Sequence, residues 1–140
     1  MRFAWVVPAA LLFGVVSVAV FGAQDATTPP AAAAGAVPAD LMGKTNPVKP
    51  TPEGLAHAKK MYGYDCAICH GANGDGKGEI ASSIKTPMKD FADPSVQAKS
   101  DGELFYIIQK GKGEMPAEGD RGKPDDMWNM VSYVRTFAKK

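Results

Sequence analysis

Cys66-Ala67-Ile68-Cys69-His70, followed at once by Gly71, is the stretch on which the reading of this chain turns. On a helical turn, positions i, i+3 and i+4 share one face, so Cys66, Cys69 and His70 point the same way. Three ordinary uses of such residues sit badly with their surroundings. A dithiol redox motif of the thioredoxin kind requires a βαβ context, and no alternating apolar stretch marks a strand. A structural zinc site needs four ligands. His57 would complete that set, yet it lies nine residues before Cys66 on the same expected helix. A disulfide between Cys66 and Cys69 would close a very small ring and stabilise little.

Cys-x-x-Cys-His is the signature of c-type haem attachment. The two thiols form thioethers with the two haem vinyl groups, and the adjacent imidazole reaches the iron. An iron held by His70 has one more axial position. The chain has seven methionines. Met1 starts it, Met42 lies in a Pro-rich stretch, and Met61, Met127 and Met130 fall on apolar helix faces. Met115 differs, because it stands in the loop Gly111-Lys112-Gly113-Glu114-Met115-Pro116, where no helix face needs a core residue. Pro116 restricts it to an extended backbone, suited to presenting a side chain inward. Met88, in Lys85-Thr86-Pro87-Met88, is its rival. His57, beside Lys59 and Lys60, reads as a solvated residue rather than a second histidine ligand.

The next segment, Gly71-Ala72-Asn73-Gly74-Asp75-Gly76-Lys77-Gly78, imitates two other motifs. As a P-loop it fails at Gly78, where a Ser or Thr must bind magnesium, and no strand precedes it. As a calcium loop from Asn73 it fails at Ile84, where a bidentate Glu is required. A turn passing close to a large flat cofactor, which glycine permits, accounts for it better.

Helical signals flank the motif on both sides. Thr51 and Pro52 read as N-cap and first helical position, with Glu53 at the positive end of the helix dipole. Leu55, Ala58, Met61 and Tyr62 then recur at helical spacing, and Gly63 ends or bends the helix. Ser100-Asp101-Gly102-Glu103 is a capping-box pattern ahead of Leu104, Ile107 and Ile108, and Gly111 stops that helix. Pro124, Asp125 and Asp126 open a third helix with Met127, Met130, Val131, Val134 and Phe137 on its apolar face, closed by Lys139 and Lys140. Gly-rich loops at 71–78 and 111–122 lie between, so the expected fold is all-α, three or more helices around one covalent haem.

Working outward, residues 1–23 read as a signal peptide or N-terminal membrane anchor. Arg2 precedes an uncharged run, Phe3 to Ala23, of 21 residues. That exceeds the usual signal core of ~7–15 and suffices to span a bilayer of ~30 Å. With Arg2 retained inside, either alternative puts the rest of the chain outside the cytoplasmic membrane. Residues 24–51 hold five prolines and the run Ala31–Ala34, with few large side chains. They read as a disordered, semi-stiff linker, which suits an anchored chain. Residues 52–140 remain as the domain, 89 residues of the chain's 140, with 13 basic and 13 acidic side chains. That balance disfavours a nucleic-acid binder. Its size excludes a large enzyme with its own deep pocket, because so short a chain buries only roughly 60–65% of its surface.

These pieces together resemble the class I cytochromes c, the small monohaem electron carriers, over essentially all of residues 52–140. The match rests on an N-terminal helix, Cys66–His70 with Gly71, a Gly-rich loop, the Gly-x-Gly-Glu-Met-Pro loop ending at Pro116, and an amphipathic C-terminal helix. The resemblance implies a cytochrome c domain with one haem c bound covalently by Cys66 and Cys69. His70 would be its proximal iron ligand and Met115 its distal one. It also implies a crossing of the terminal helices at Ala58, beside Tyr62 and Tyr133, and a Pro87 carbonyl accepting a hydrogen bond from His70. Glycine is more usual than Ala58, so a slightly wider crossing is expected.

The function so implied is one-electron transfer, periplasmic or at the outer face of the cytoplasmic membrane, between redox partner proteins, with no catalytic residues. Two alternatives are a haem subunit of a larger oxidoreductase and, if Met115 leaves the iron open, a gas-binding or catalytic haem protein. Lys110, Lys112, Arg121 and Lys123 read as ordinary solvated loop charges more readily than as a docking patch.

Overall fold

The computed structural model describes residues 35–138; the segment 1–23, the start of the linker, and Lys139 and Lys140 lie outside the described residues. Helix α1 (Pro52–Met61) begins where Thr51 Oγ1 accepts the Gly54 N–H at 3.0 Å, with Glu53 in the first turn. The chain does not stop at Gly63. It continues through one π turn, Tyr62–Cys66, into α2 (Ala67–His70). Gly63 lies in that turn with open space around it, so its missing side chain ends nothing.

A 3₁₀ turn (Ala81–Ser83) and the short α3 (Pro94–Gln97) lead to α4 (Asp101–Lys110). The Ser100 hydroxyl accepts the Glu103 N–H at 3.2 Å, and the Glu103 carboxylate accepts the Ser100 N–H at 2.8 Å, completing the expected capping box. Gly111, at φ 74°, ends the helix where a side chain would be strained. Helix α5 (Pro124–Arg135) opens with Asp126 accepting the Lys123 N–H at 2.8 Å. Among the described residues no strand forms, only an isolated bridge between Lys112 and Met115. The fold is all-α.

Helices α1 and α5 pack together with Ala58 and Val131 fully buried. One turn earlier Gly54 faces the Asn129 side chain of α5, whose Oδ1 lies 2.7 Å from where a Cβ would stand. Tyr62 lies 5.3 Å, ring to ring, from Tyr133 and 5.6 Å from Phe137. Helix α4 packs on α5 through Phe105 stacked on Trp128, 4.0 Å between centroids. Arg135 then ties the end of α5 to the α3–α4 corner, donating to Asp101 Oδ1 at 2.7 Å and to the Gln97 carbonyl at 2.9 Å.

The linker expected over 24–51 is corrected in its described part. Leu41 and Val48 pack against the core. The Lys44 carbonyl accepts the Gly102 N–H at 3.0 Å, and Asp101 accepts the Asn46 N–H at 3.0 Å. The Asn46 amide donates to the Trp128 carbonyl at 2.8 Å and to Ser132 Oγ at 2.9 Å. Composition missed this because two apolar side chains and one amide do the holding, aided by backbone groups that composition does not count. Asn46→Ala removes the two amide bonds and the one Asn46 Oδ1 accepts from the Val48 N–H at 2.9 Å, while Ser132 Oγ keeps its own bond to the Trp128 carbonyl. It is expected to cost about 1–3 kcal/mol. Urea unfolding checks it, as a lowered midpoint at unchanged slope.

Candidate functional site

Helix α2 has four residues, too few to be stable alone. It is held from outside. The loop after it folds back, so that Gly76 N–H donates to the His70 carbonyl at 2.9 Å, Gly78 N–H to Cys69 at 3.2 Å and Ile80 N–H to Ile68 at 3.1 Å. A Cβ on Gly78 would collide with the Ile68 carbonyl and the Cys69 backbone. Gly76 and Gly78 therefore make room for the chain's own backbone, at Met88 and at Ile68 and Cys69. From the other side, the buried Tyr62 hydroxyl donates to the Gly71 carbonyl at 2.6 Å.

Two cavities lie beside this turn. One, of about 390 Å3, is lined by Cys66, Cys69, His70, Met88, Met115 and Glu118, with Ile68, Ile80 and Ile84 among its apolar walls. The other, of about 210 Å3, reaches Leu104, Ile107, Ile108 and Val134. His70, Met88 and Met115 line both. The structure thus gathers Cys66, Cys69, His70 and Met115 around one space, and brings the rival Met88 there as well. Met115 and Lys112 exchange two backbone hydrogen bonds of 3.1 Å, and Met115 packs against the core.

His70 carries two signs of an unmet partner. Its Nδ1 is buried without a hydrogen bond in the described residues. Burial also pushes its pKa below the usual histidine value, favouring the neutral ring that a metal requires. The expected bond to the Pro87 carbonyl is not made, although Pro87 lines the smaller cavity. The ring packs instead against Phe91, 4.6 Å between centroids. Phe91 is brought there because its N–H donates to the Gly74 carbonyl at 2.7 Å. Sequence reasoning missed Phe91, which follows Asp90 in a loop without helical periodicity.

The cysteines are not joined to each other. Burial first, then the carboxylates of Glu118 and Asp65, push the Cys66 thiol up to about 12. His57 is far from this chemistry in role: its side chain is 54% exposed and sits 3.3 Å from Asp126. Among the described residues no group of three or more His, Cys, Asp or Glu side chains could hold a metal ion, so the zinc alternative has no site. Arg121 pairs with Asp65 at 2.9 Å and Glu118 at 3.4 Å, which removes it from any free basic patch. Glu118 itself, 7% exposed, is a cavity residue that the sequence did not single out.

Two thiols, a neutral imidazole with an orphaned nitrogen, and methionine sulfur around an apolar space fit a covalent haem. Comparisons with known proteins agree. Cytochrome c6 of Synechococcus sp. (strain ATCC 27167 / PCC 6312) is 29% identical over 86 residues, 61% of this chain and 72% of its own length. Chloroplastic cytochrome c6 of Chlamydomonas reinhardtii is 25% identical over 111 residues, 79% of this chain and 73% of its own.

Among solved structures, the KustC0563 c-type cytochrome superposes with a TM-score of 0.52 at 28% identity, covering 59% of this chain and 98% of that one. A chain of the Kuenenia stuttgartiensis reducing HAO-like protein complex Kustc0457/Kustc0458 gives 0.60 at 24% identity over 66% of this chain, a likeness of fold alone. This chain spans only 47% of that one. Residues 53–134 match the family described as cytochrome c oxidase, cbb3-type, subunit III. The chain belongs to that family: it is a small class I cytochrome c, a haem electron carrier whose cofactor is covalently bound c-type haem.

Proposed function

We propose that the chain carries single electrons between redox proteins outside the cytoplasmic membrane, with Cys66 and Cys69 as the thioether anchors and His70 and Met115 as the axial ligands. The observation that carries this is the convergence of those four side chains on one cavity. Bound haem supplies reversible Fe(III)/Fe(II) exchange, and His/Met ligation raises its potential. The protein's own part is to hold and to shield. Apolar walls at Ile68, Ile84, Leu104 and Ile108 exclude water, and the hydrogen bonds to the carbonyls of residues 68–71 keep His70 in place.

Met115 is favoured over Met88 because its backbone is locked to Lys112 and its side chain rests on the core. A filled coordination sphere leaves no position for a substrate, so the proposed role is that of a carrier and not an enzyme. Export rests on Arg2 and the uncharged run Phe3 to Ala23, retained as an anchor or removed. A second version, a haem subunit of a larger oxidoreductase, is favoured by one finding, that the matching family is described as an oxidase subunit.

Intact-mass spectrometry of the protein from its host is expected to show one covalent haem, and reports directly whether residues 1–23 remain. A colourless product would overturn the assignment. The ferric protein is expected to show the weak red sulfur-to-iron charge-transfer band. Met115→Ala abolishes that band and Met88→Ala retains it; the reverse pattern would make Met88 the ligand. Native electrophoresis of detergent-solubilised membranes separates the two versions, with haem migrating near the chain's own mass for a carrier and in a large complex for a subunit.

A further inference from the structure

We propose that Glu118 is a potential-setting residue: a buried negative charge on the cavity wall that favours the oxidised haem. This rests on the haem assignment above. Glu118 lines the larger cavity with Cys66 and Met115. On its other side is a small void walled by Met61, Ile108, Met127 and Met130, with Asp65 and Cys66 at its edge. Its backbone is fixed by the N–H donated to the Ile108 carbonyl at 3.0 Å. Glu118 is therefore largely shut off from water, with 7% of its surface exposed.

Its cation is Arg121, with Nε 3.4 Å away, and that guanidinium is shared with Asp65 at 2.9 Å. Burial pushes the Glu118 carboxyl up and the neighbouring Asp65 adds to the shift, while Arg121 opposes it. Two carboxylates thus share one guanidinium that is itself 57% exposed. The excess charge at this wall is negative.

Losing an electron adds one positive charge to the haem. A negative charge held nearby in a poorly screened site stabilises that state and lowers the potential. Glu114 provides an internal comparison. It borders the same cavity and accepts the Thr86 N–H at 3.1 Å, but it is exposed, so water and salt screen it. The two residues carry the same charge and differ in burial.

The test is a redox titration of the full-length holoprotein at pH 7, at low and high salt, for wild type, Glu118→Gln and Glu114→Gln. Glu118→Gln is expected to raise the midpoint potential, by more than Glu114→Gln does. Its shift persists at high salt while that of Glu114→Gln fades. A Glu118→Gln potential at or below wild type, or no higher than that of Glu114→Gln, overturns the proposal. Should Glu118→Gln fail to accumulate, Glu118→Met, neutral and of similar length, decides by the same readout: a higher potential than wild type supports the proposal, and an unchanged or lower one overturns it. Intact mass and the red band of the wild type, recorded on the same samples, report separately on the haem assignment.

Discussion

The rest of the structure depends on how the four-residue helix α2 is kept in place. Its carbonyls face a loop that returns their hydrogen bonds from Gly76, Gly78 and Ile80. Such bonds require the returning backbone to lie against the helix end, and Gly78 is the position where any side chain would meet the Ile68 carbonyl. Gly71 must then turn the chain at φ 77°, a conformation glycine adopts without strain. Tyr62 closes the arrangement from inside by donating to the Gly71 carbonyl. One hydroxyl so connects the π turn, the residue after His70, and the aromatic group formed with Tyr133 and Phe137.

Much of this was legible because it is local. Thr51, Ser100 and Pro124 mark their helix starts through caps and fixed backbone angles, which depend on a few adjacent residues. Cys66, Cys69 and His70 are marked by their spacing and Met115 by its loop outside any helix, and the structure sets all four on one cavity. What stayed hidden was set by distant pairing. Asn46 reads as a turn residue until α5 offers it the Trp128 carbonyl, 82 positions away. Phe91 and Glu118 become cavity residues only when loops close. The π turn at Tyr62–Cys66 was hidden for another reason: glycine ordinarily signals an end, and here the helix runs on through Gly63 in a π turn.

The strand of chain from Leu41 to Val48 alters the meaning of domain size. A domain counted from Pro52 lacks these contacts on α4 and α5, including Lys44 Nζ placed 5.9 Å from the Trp128 ring. The Phe105–Trp128 stack would then be open on that side. Small domains expose a large share of their surface, so a short strap lying over a large aromatic group adds more than its length suggests. The strap uses the α5 residues Trp128 and Ser132 together with Asp101, whereas the cavities use Val134 and the α4 residues Leu104 and Ile108. Holding and chemistry occupy different sides of the same two helices.

That separation has a consequence for the site. Its restraints are mostly backbone hydrogen bonds: three on α2, one from Phe91 to Gly74, and the reciprocal pair between Lys112 and Met115. Backbone bonds persist through most side-chain changes, so the positions of His70 and Met115 are insulated from substitutions on the outer surface. The side chains that do face the cavity are then free to vary the electrostatics without moving His70 or Met115. Tyr62 is the exception, since its own side chain is a restraint; Glu118 shows the rule, because its carboxylate borders the cavity while its backbone is bound to Ile108. A fold of this size can therefore keep one geometry while the charge on its cavity wall varies.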